Sequence, residues 1–487
     1  MTPTTTPARP LTRTVLSLCA LALGGLITGG LLFAGPLNPP AGPVASTYKT
    51  LTEVEPRTAI NATNTPGDAD SLYKIVAPGS YYLTGNIAGA AGKHGIEIAA
   101  SGVTLDLAGF ELLGVPGSLD GVSATVGVNN VQVRNGSVRS WGDEGLDFTN
   151  GGSISITDVS VLTCAGFGIS INPNSTATRC KTVSNGAGGI ATGTNCVVTA
   201  CTAQGNTGGG ILAWVGCTVV DCTATTNTGN GISTSNGSTI AGCAAIDNTA
   251  NGISVASGCT ISNCSAANND LHGIVGTDGI TVSGCTVRAN FQNGITLNET
   301  AAVEHCSALS NSGIGISCRS GTVADCAARA NAVGISVTGA TVRGCAASGN
   351  NGDGIVADEG SQVIDNHAAG NSGDGIQATS FCMVRGNDCY SNRTSVPDGA
   401  GIHITGIYNR IEANTCTRND RGIDVDAQAN VILRNTCGFN SSGSWSIAAN
   451  NNLAPIVFVP GNSPAINGSS YSGNLGSTDA NANYTLQ

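Results

Sequence analysis

Near the C-terminal end of the chain, Asp398, His403, Asp420, Arg421, Asp424 and Asp426 fall close together. An imidazole beside carboxylates can take up and release protons in general acid–base work. In this set His403 would be the acid or base, and Asp424 would orient it or bind a cation. Arg421 would pair with a carboxylate such as that of a uronate. Further back, Asp353 and Asp374 each precede a Gly-Ile step, with Asp358 and Glu359 nearby. Two carboxylates stacked about 5 Å apart would hold Ca²⁺ or match a retaining glycosidase pair; equally, Asp beside Gly forms turns. Asp143, Glu144 and Asp147 beside Trp141 make a third acidic group, which reads as solvated turn residues.

What positions these residues is a strict internal repeat. A Gly-Ile step recurs every 21 residues from Gly168 to Gly315, then continues at Gly334, Gly354, Gly375, Gly401 and Gly422. Weaker forms at Gly95, Gly121 and Gly145 extend it backward, giving sixteen markers. Asn keeps the same time from Asn185 to Asn392, and so does Cys from Cys180 to Cys345, with Asn366, Asn387, Asn414 and Asn435 continuing that column. Between markers the apolar residues alternate, as in Ile253-Ser254-Val255, which is strand periodicity, and no stretch carries a helical repeat pattern. Short strands separated by Gly and Asn turns, coiling every 21 residues, describe an all-β chain: a single parallel β-helix of about 16 coils. The residue after each Gly-Ile should face outward, so His403 and Asp424 are expected on the surface of successive rungs. The rung between Gly375 and Gly401 carries five extra residues around Val396-Pro397-Asp398, a loop suited to a cleft wall.

The repeat columns are expected to carry stability. Asn at one turn of every coil can pass amide hydrogen bonds up the stack. Gly before Ile is expected to supply backbone angles denied to other residues. The nine Cys of one column have parallel Cβ directions unsuited to a disulfide, and no C-x-x-C pair or adjacent His supplies a zinc set, so free inward thiols are expected.

The ends differ. Arg9 and Arg13 precede an apolar run from about Val15 to Phe33, so residues 1–46 read as a signal peptide or an N-terminal anchor with a Pro-rich linker. Residues 47–94 form an N-terminal cap, in which 66–76 are expected to be a short N-capped helix; the solenoid occupies 95–440 and a C-terminal cap and tail 441–487. The implied location is secreted, or in the cell envelope or periplasm, with membrane contact only through an uncleaved anchor.

Composition narrows the partners. Twenty Lys+Arg against 31 Asp+Glu give −11, and no basic stripe follows a phosphate backbone, so nucleic acid is not a partner. Aromatic residues are only 4% of the chain, with Trp141, Trp214 and Trp445 far apart. That scarcity suits a rigid structural or adhesive envelope protein better than a sugar site built on stacking rings.

Pro78-Gly79-Ser80-Tyr81-Tyr82-Leu83, followed by Gly95-Ile96-Glu97-Ile98 and Val103-Thr104-Leu105-Asp106-Leu107, looks like the start of a right-handed parallel β-helix. Together with the N-x-C-x-x-N-x-x-G-I unit from Asn414 to Ile423, it resembles secreted proteins of the pectin-lyase-like superfamily, in the repeat class of carbohydrate-binding and sugar-hydrolase domains. The resemblance spans roughly residues 70–450. It implies an extracellular polysaccharide, uronate-containing or not, as partner. The signatures of pectate lyases and polygalacturonases are not recognisable, and lysine, the base of some lyases, occurs only at Lys49, Lys74, Lys93 and Lys181. The expectation is polysaccharide binding without established catalysis; lyase or glycoside hydrolase activity and a structural envelope role are the alternatives. No cofactor is established, and calcium at Asp353 and Asp374 is the one metal considered.

Overall fold

The computed structural model describes residues 55–392, 399–459 and 479–486. The signal or anchor segment and Asp398 with its inserted loop lie outside the described residues. From Arg57 onward the chain is one compact unit. Among the described residues every regular element is a strand, and no helix is long and apolar enough to cross a membrane.

Most coils have three short strands. In one, Ile253–Val255, Thr260–Ser262 and Ser265–Ala267 form a first, second and third face. Each pairs in parallel with its equivalent one coil away: Ile232↔Ile253↔Ile274 on the first face, Ile240↔Ile261↔Val282 on the second, Ala245↔Ala266↔Val287 on the third. Like therefore stacks on like, and Ile, Val, Ala and Cys fill a continuous core. Side-chain alternation then turns the middle residue of each first-face strand outward and that of the second- and third-face strands inward.

Among the described residues the first-face ladder holds eighteen strands, two more than the sixteen sequence markers. The additions are Ser71–Ile75, paired with His94–Ile98, and Gly443–Ile447, paired with Arg421–Val425. The helix expected at 66–76 is therefore a turn and a strand. Asp68 Oδ1 does accept the Ser71 N–H at 3.1 Å in the manner of a cap, but parallel pairing with the next coil outweighs the local helical preference.

The Asn column works as expected. Asn269 Oδ1 accepts both the N–H and the Nδ2 of Asn248 at 3.1 and 3.0 Å, and its own Nδ2 donates to Ala245 O and Asn290 Oδ1. The Gly column works differently from expectation. Gly231, Gly252 and Gly273 have ordinary negative φ; what excludes a side chain is proximity. A Cβ on Gly252 would stand 2.7 Å from Asn269 Nδ2 and 2.7 Å from Gly273 O. Gly is needed here so that the Asn ladder can reach the neighbouring backbone.

The Cys column is a weaker copy of the Asn ladder. Cys222 Sγ accepts the Cys201 N–H at 3.4 Å, and where Asn366 takes over the column its Oδ1 accepts the Cys345 N–H at 2.9 Å. All eighteen described cysteines are free and buried. Burial pushes the thiols of Cys164 and Cys318 up to about 11 and those of Cys389 and Cys416 well above the ordinary range. The folded protein is expected to ignore an aromatic disulfide reagent and to titrate these thiols only in denaturant; fast reaction in buffer would contradict the packing.

Candidate functional site

Ile376–Ala378, Ala400–Ile404, Arg421–Val425 and Gly443–Ile447 follow one another on the first face. Their register stacks Gln377, His403, Asp424 and Ser446 in one outward column. Earlier members of that column are Ser254, Val275, Thr296, Ser317, Ser336 and Val356. The column carries Lys74, Glu97 and Asp147 at its N-terminal end, stays uncharged from Ser170 to Gln377, and turns to a cation and an anion at its C-terminal end.

His403 and Asp424 point away from the core, since Ile402, Ile404, Ile423 and Val425 occupy it. Surface exposure was expected of both, yet His403 is 9% and Asp424 1% exposed. Neighbouring carboxylates enclose them. His403 Nδ1 lies 2.9 Å from Asp374 Oδ2, and Nε2 lies 3.0 Å from Asp426 Oδ2. Asp374 is buried and Asp426 is exposed, so the two carboxylates form an inner and an outer partner. Hydrogen bonding to Asp374 first, and then to Asp426, raises the imidazole to about 9 against the opposing effect of burial. His403 is consequently an imidazolium at neutral pH, with both N–H groups directed at carboxylates. It is a poor base and a competent proton or hydrogen-bond donor. Asp424 does not contact this ring by hydrogen bond; its Oδ2 pairs with Arg421 Nη1 three residues away.

Asp353 and Asp374 belong to a second ladder, in the position before Gly-Ile. Asp353 Oδ1 accepts the Asp374 N–H at 2.7 Å, and Asp374 Oδ1 accepts the Ala400 N–H at 2.7 Å. The same device runs through Asn230, Asn251, His272 and Asn293, each accepting the N–H one coil on. It also links His94, Asp120 and Glu144. The calcium pair expected from sequence is thus engaged: neither oxygen of Asp374 lacks a donor, because the second serves His403. Burial, ahead of the neighbouring Asp374 charge, raises Asp353. Ligand atoms of His403, Asp424 and Asp426 do converge within 4.8 Å, as do those of Asp120, Asp143 and Glu144. In the latter group burial, then Asp143, lifts Glu144 to about 8, so it holds a proton at neutral pH. Trp141 beside it is buried and donates Nε1–H to Leu112 O at 3.1 Å.

Elsewhere on the first face, Trp214 is 60% exposed at the edge of an uncharged hollow of about 270 Å³ lined by Thr149, Asn172, Thr192 and Gly193. The sequence reading missed the pairing of His403 with Asp374 and Asp426. The available signal was Asp374 in the column before Gly-Ile, one coil below His403.

Fold and site together define a parallel β-helix whose outer first face carries a buried charge cluster near one end. The chain belongs to the right handed beta helix region family, which matches residues 193–333 and 331–475, more than half of its length. The coil is accordingly right-handed. No curated protein sequence matches. Among solved structures the chain is similar to the Azotobacter vinelandii mannuronan C-5 epimerase AlgE4 A-module, at 15% identity and a TM-score of 0.33, over 73% of this chain and 91% of that one. It is also similar to the receptor-binding tailspike of bacteriophage Det7, at 10% identity and a TM-score of 0.37, over 72% and 73%. A third likeness is to the catalytic unit of a GH87 alpha-1,3-glucanase from Streptomyces thermodiastaticus strain HF3-3, at 13% identity and a TM-score of 0.34, over 71% and 62%.

Proposed function

We propose that this is an exported β-helix protein that binds an extracellular polysaccharide across its first face, with the His403 cluster as the polar contact. The observation that carries the reading is the abrupt change in the outward column. Small uncharged residues give way to His403 and Asp424, and the cluster presents one exposed carboxylate, Asp426, on a buried imidazolium. Departures of this kind from a repeat are where function is expected. The N-terminal apolar run behind Arg9 and Arg13 supports export.

Binding is favoured over turnover because the one histidine in the cluster is already protonated and doubly engaged. Asp374, Asp424 and Asp426 outnumber His403 and Arg421, so a neutral glycan meets the cluster directly. A uronate polymer needs a divalent cation between its carboxylates and Asp426.

The test uses Asp426→Asn, because Asp426 is 59% exposed and the His403 imidazolium keeps Asp374 as its partner. The full chain is assayed by affinity electrophoresis against xylan, β-glucan, alginate and polygalacturonate, with and without Ca²⁺. Wild type is expected to be retarded by at least one polymer and Asp426→Asn to be retarded about tenfold less, the loss of roughly one charge-assisted hydrogen bond. Uronate binding should require Ca²⁺. Retardation equal in both proteins moves the site elsewhere, and none in wild type ends the polysaccharide reading.

A further inference from the structure

The turn from the first to the second face is closed by a single residue of positive φ. Gly fills it at Gly216, Gly237, Gly258, Gly279, Gly339 and Gly360, and Asn at Asn174, Asn195 and Asn450. Thr300, Ser320 and Ala429 hold it in three further coils, and two consecutive coils place aromatic rings there: Phe381, at φ 59°, and Tyr408, at φ 60°. Bulky side chains are rare in this region and strained when they occupy it. The strain is not offset by burial, since the two residues are 54% and 59% exposed. Their rings instead stack on each other, with centroids 5.3 Å apart and planes 30° apart.

The pair lies on the coils that carry the charge cluster. Tyr408 follows His403 on the same coil, and Asp426 donates its N–H to Ile404 O from the coil above. Thr405 and Tyr408 are three residues apart, at most ~11 Å of chain. The exposed aromatic pair therefore occupies the two rungs that immediately precede the rung of the exposed Asp426 carboxylate.

We propose that Phe381 and Tyr408 form a stacking platform for one pyranose ring of the polysaccharide whose hydroxyls meet Asp426. The proposal rests on the polysaccharide reading above and adds to it the subsite and the apolar face of the sugar as its ligand. Aromatic faces attract the polarised C–H bonds of a sugar ring, while the neighbouring carboxylate accepts its hydroxyls. The open outer face of the stacked pair matches a single sugar ring and falls well short of the ~800 Å² per partner of a stable protein interface.

The double variant Phe381→Asn/Tyr408→Asn tests it, since Asn already occupies this turn at Asn174, Asn195 and Asn450. The full-length variant is compared with wild type and Asp426→Asn on xylan, β-glucan, alginate and polygalacturonate, and its Tm and sedimentation are recorded. The expected result is binding at least tenfold weaker with a Tm no lower than wild type, because Asn relieves the backbone strain. Undiminished binding by the double variant, while Asp426→Asn binds weakly, overturns the platform and leaves the polysaccharide reading intact. A Tm that falls with binding makes the rings structural and also overturns it. So does a wild-type dimer that the double variant loses. Wild type that binds none of the four polymers removes the polysaccharide reading, and the platform with it.

Discussion

His403→Ala is expected to destabilise the protein at neutral pH by about 3–5 kcal/mol, the usual cost of removing one partner of a buried ion pair. Asp374 is 6% exposed, and the substitution leaves its Oδ2 facing a cavity with no cation. The wild-type pH dependence follows from the same contact. The imidazole titrates at about 9 in the folded chain, Asp374 being the chief cause, against roughly 6.5 when unfolded. The folded state therefore holds this proton more tightly. Its contribution is complete below the unfolded value and disappears as pH rises through about 9. The gap between the two values corresponds to ~3 kcal/mol. Urea unfolding of wild type and His403→Gln at pH 6, 7.5 and 9.5 measures it. Wild type should lose stability over this range relative to the Gln variant, and parallel curves would show that the imidazolium contributes nothing.

Asn269→Ala is expected to cost about 3–5 kcal/mol from hydrogen bonding and packing together. Asn269 is fully buried at the middle of the ladder. Its removal strands the Asn248 N–H, takes one acceptor from the Asn248 amide, and strips the Ala245 carbonyl of its side-chain donor. The neighbouring column provides the comparison. Cys264 accepts the Cys243 N–H at 3.4 Å through a weak sulfur acceptor, so Cys264→Ala should cost only ~1–2 kcal/mol, mostly lost packing. Chemical denaturation of the two variants decides. If the Cys variant is the less stable, hydrogen bonding is not what the Asn ladder supplies.

The coil was legible because its ladders are made of one residue type each. Asn at 21-residue spacing and alternating Ile-Ser-Val mark a stacked turn and a stacked strand in the sequence itself. The ends were less legible: Ser71–Ile75 and Gly443–Ile447 lack the Gly-Ile signature and join the ladder only through pairing with a neighbour. The Gly column was read for backbone angle when its constraint is contact with an Asn on another coil, which lies outside any local window. The sequence places His403 and Asp424 on successive rungs but does not show which groups they contact. His403 and Asp424 are adjacent in register, which suggested that they were partners, yet the imidazole reaches along the face to Asp374 and Asp426 while Arg421 takes Asp424. Lateral reach of this kind depends on side-chain rotamers, which the repeat period does not encode. Phe381 and Tyr408 were visible in principle, as two aromatics in a column of otherwise small residues and Asn.

The sameness of the coils from Cys180 to Gly294 also bears on how such a chain changes over generations. One 21-residue unit removed there, or one copied, brings Ile onto Ile, Asn onto Asn and Cys onto Cys, so the joint creates no kind of contact that the molecule lacks. Slippage in the gene by a whole unit is thus structurally silent, whereas slippage by a few codons is not. The Trp214 hollow and the His403 cluster stand nine rungs apart on either side of much of this stretch. Their separation is a quantity that heredity can reset in steps of ~4.8 Å without rebuilding either.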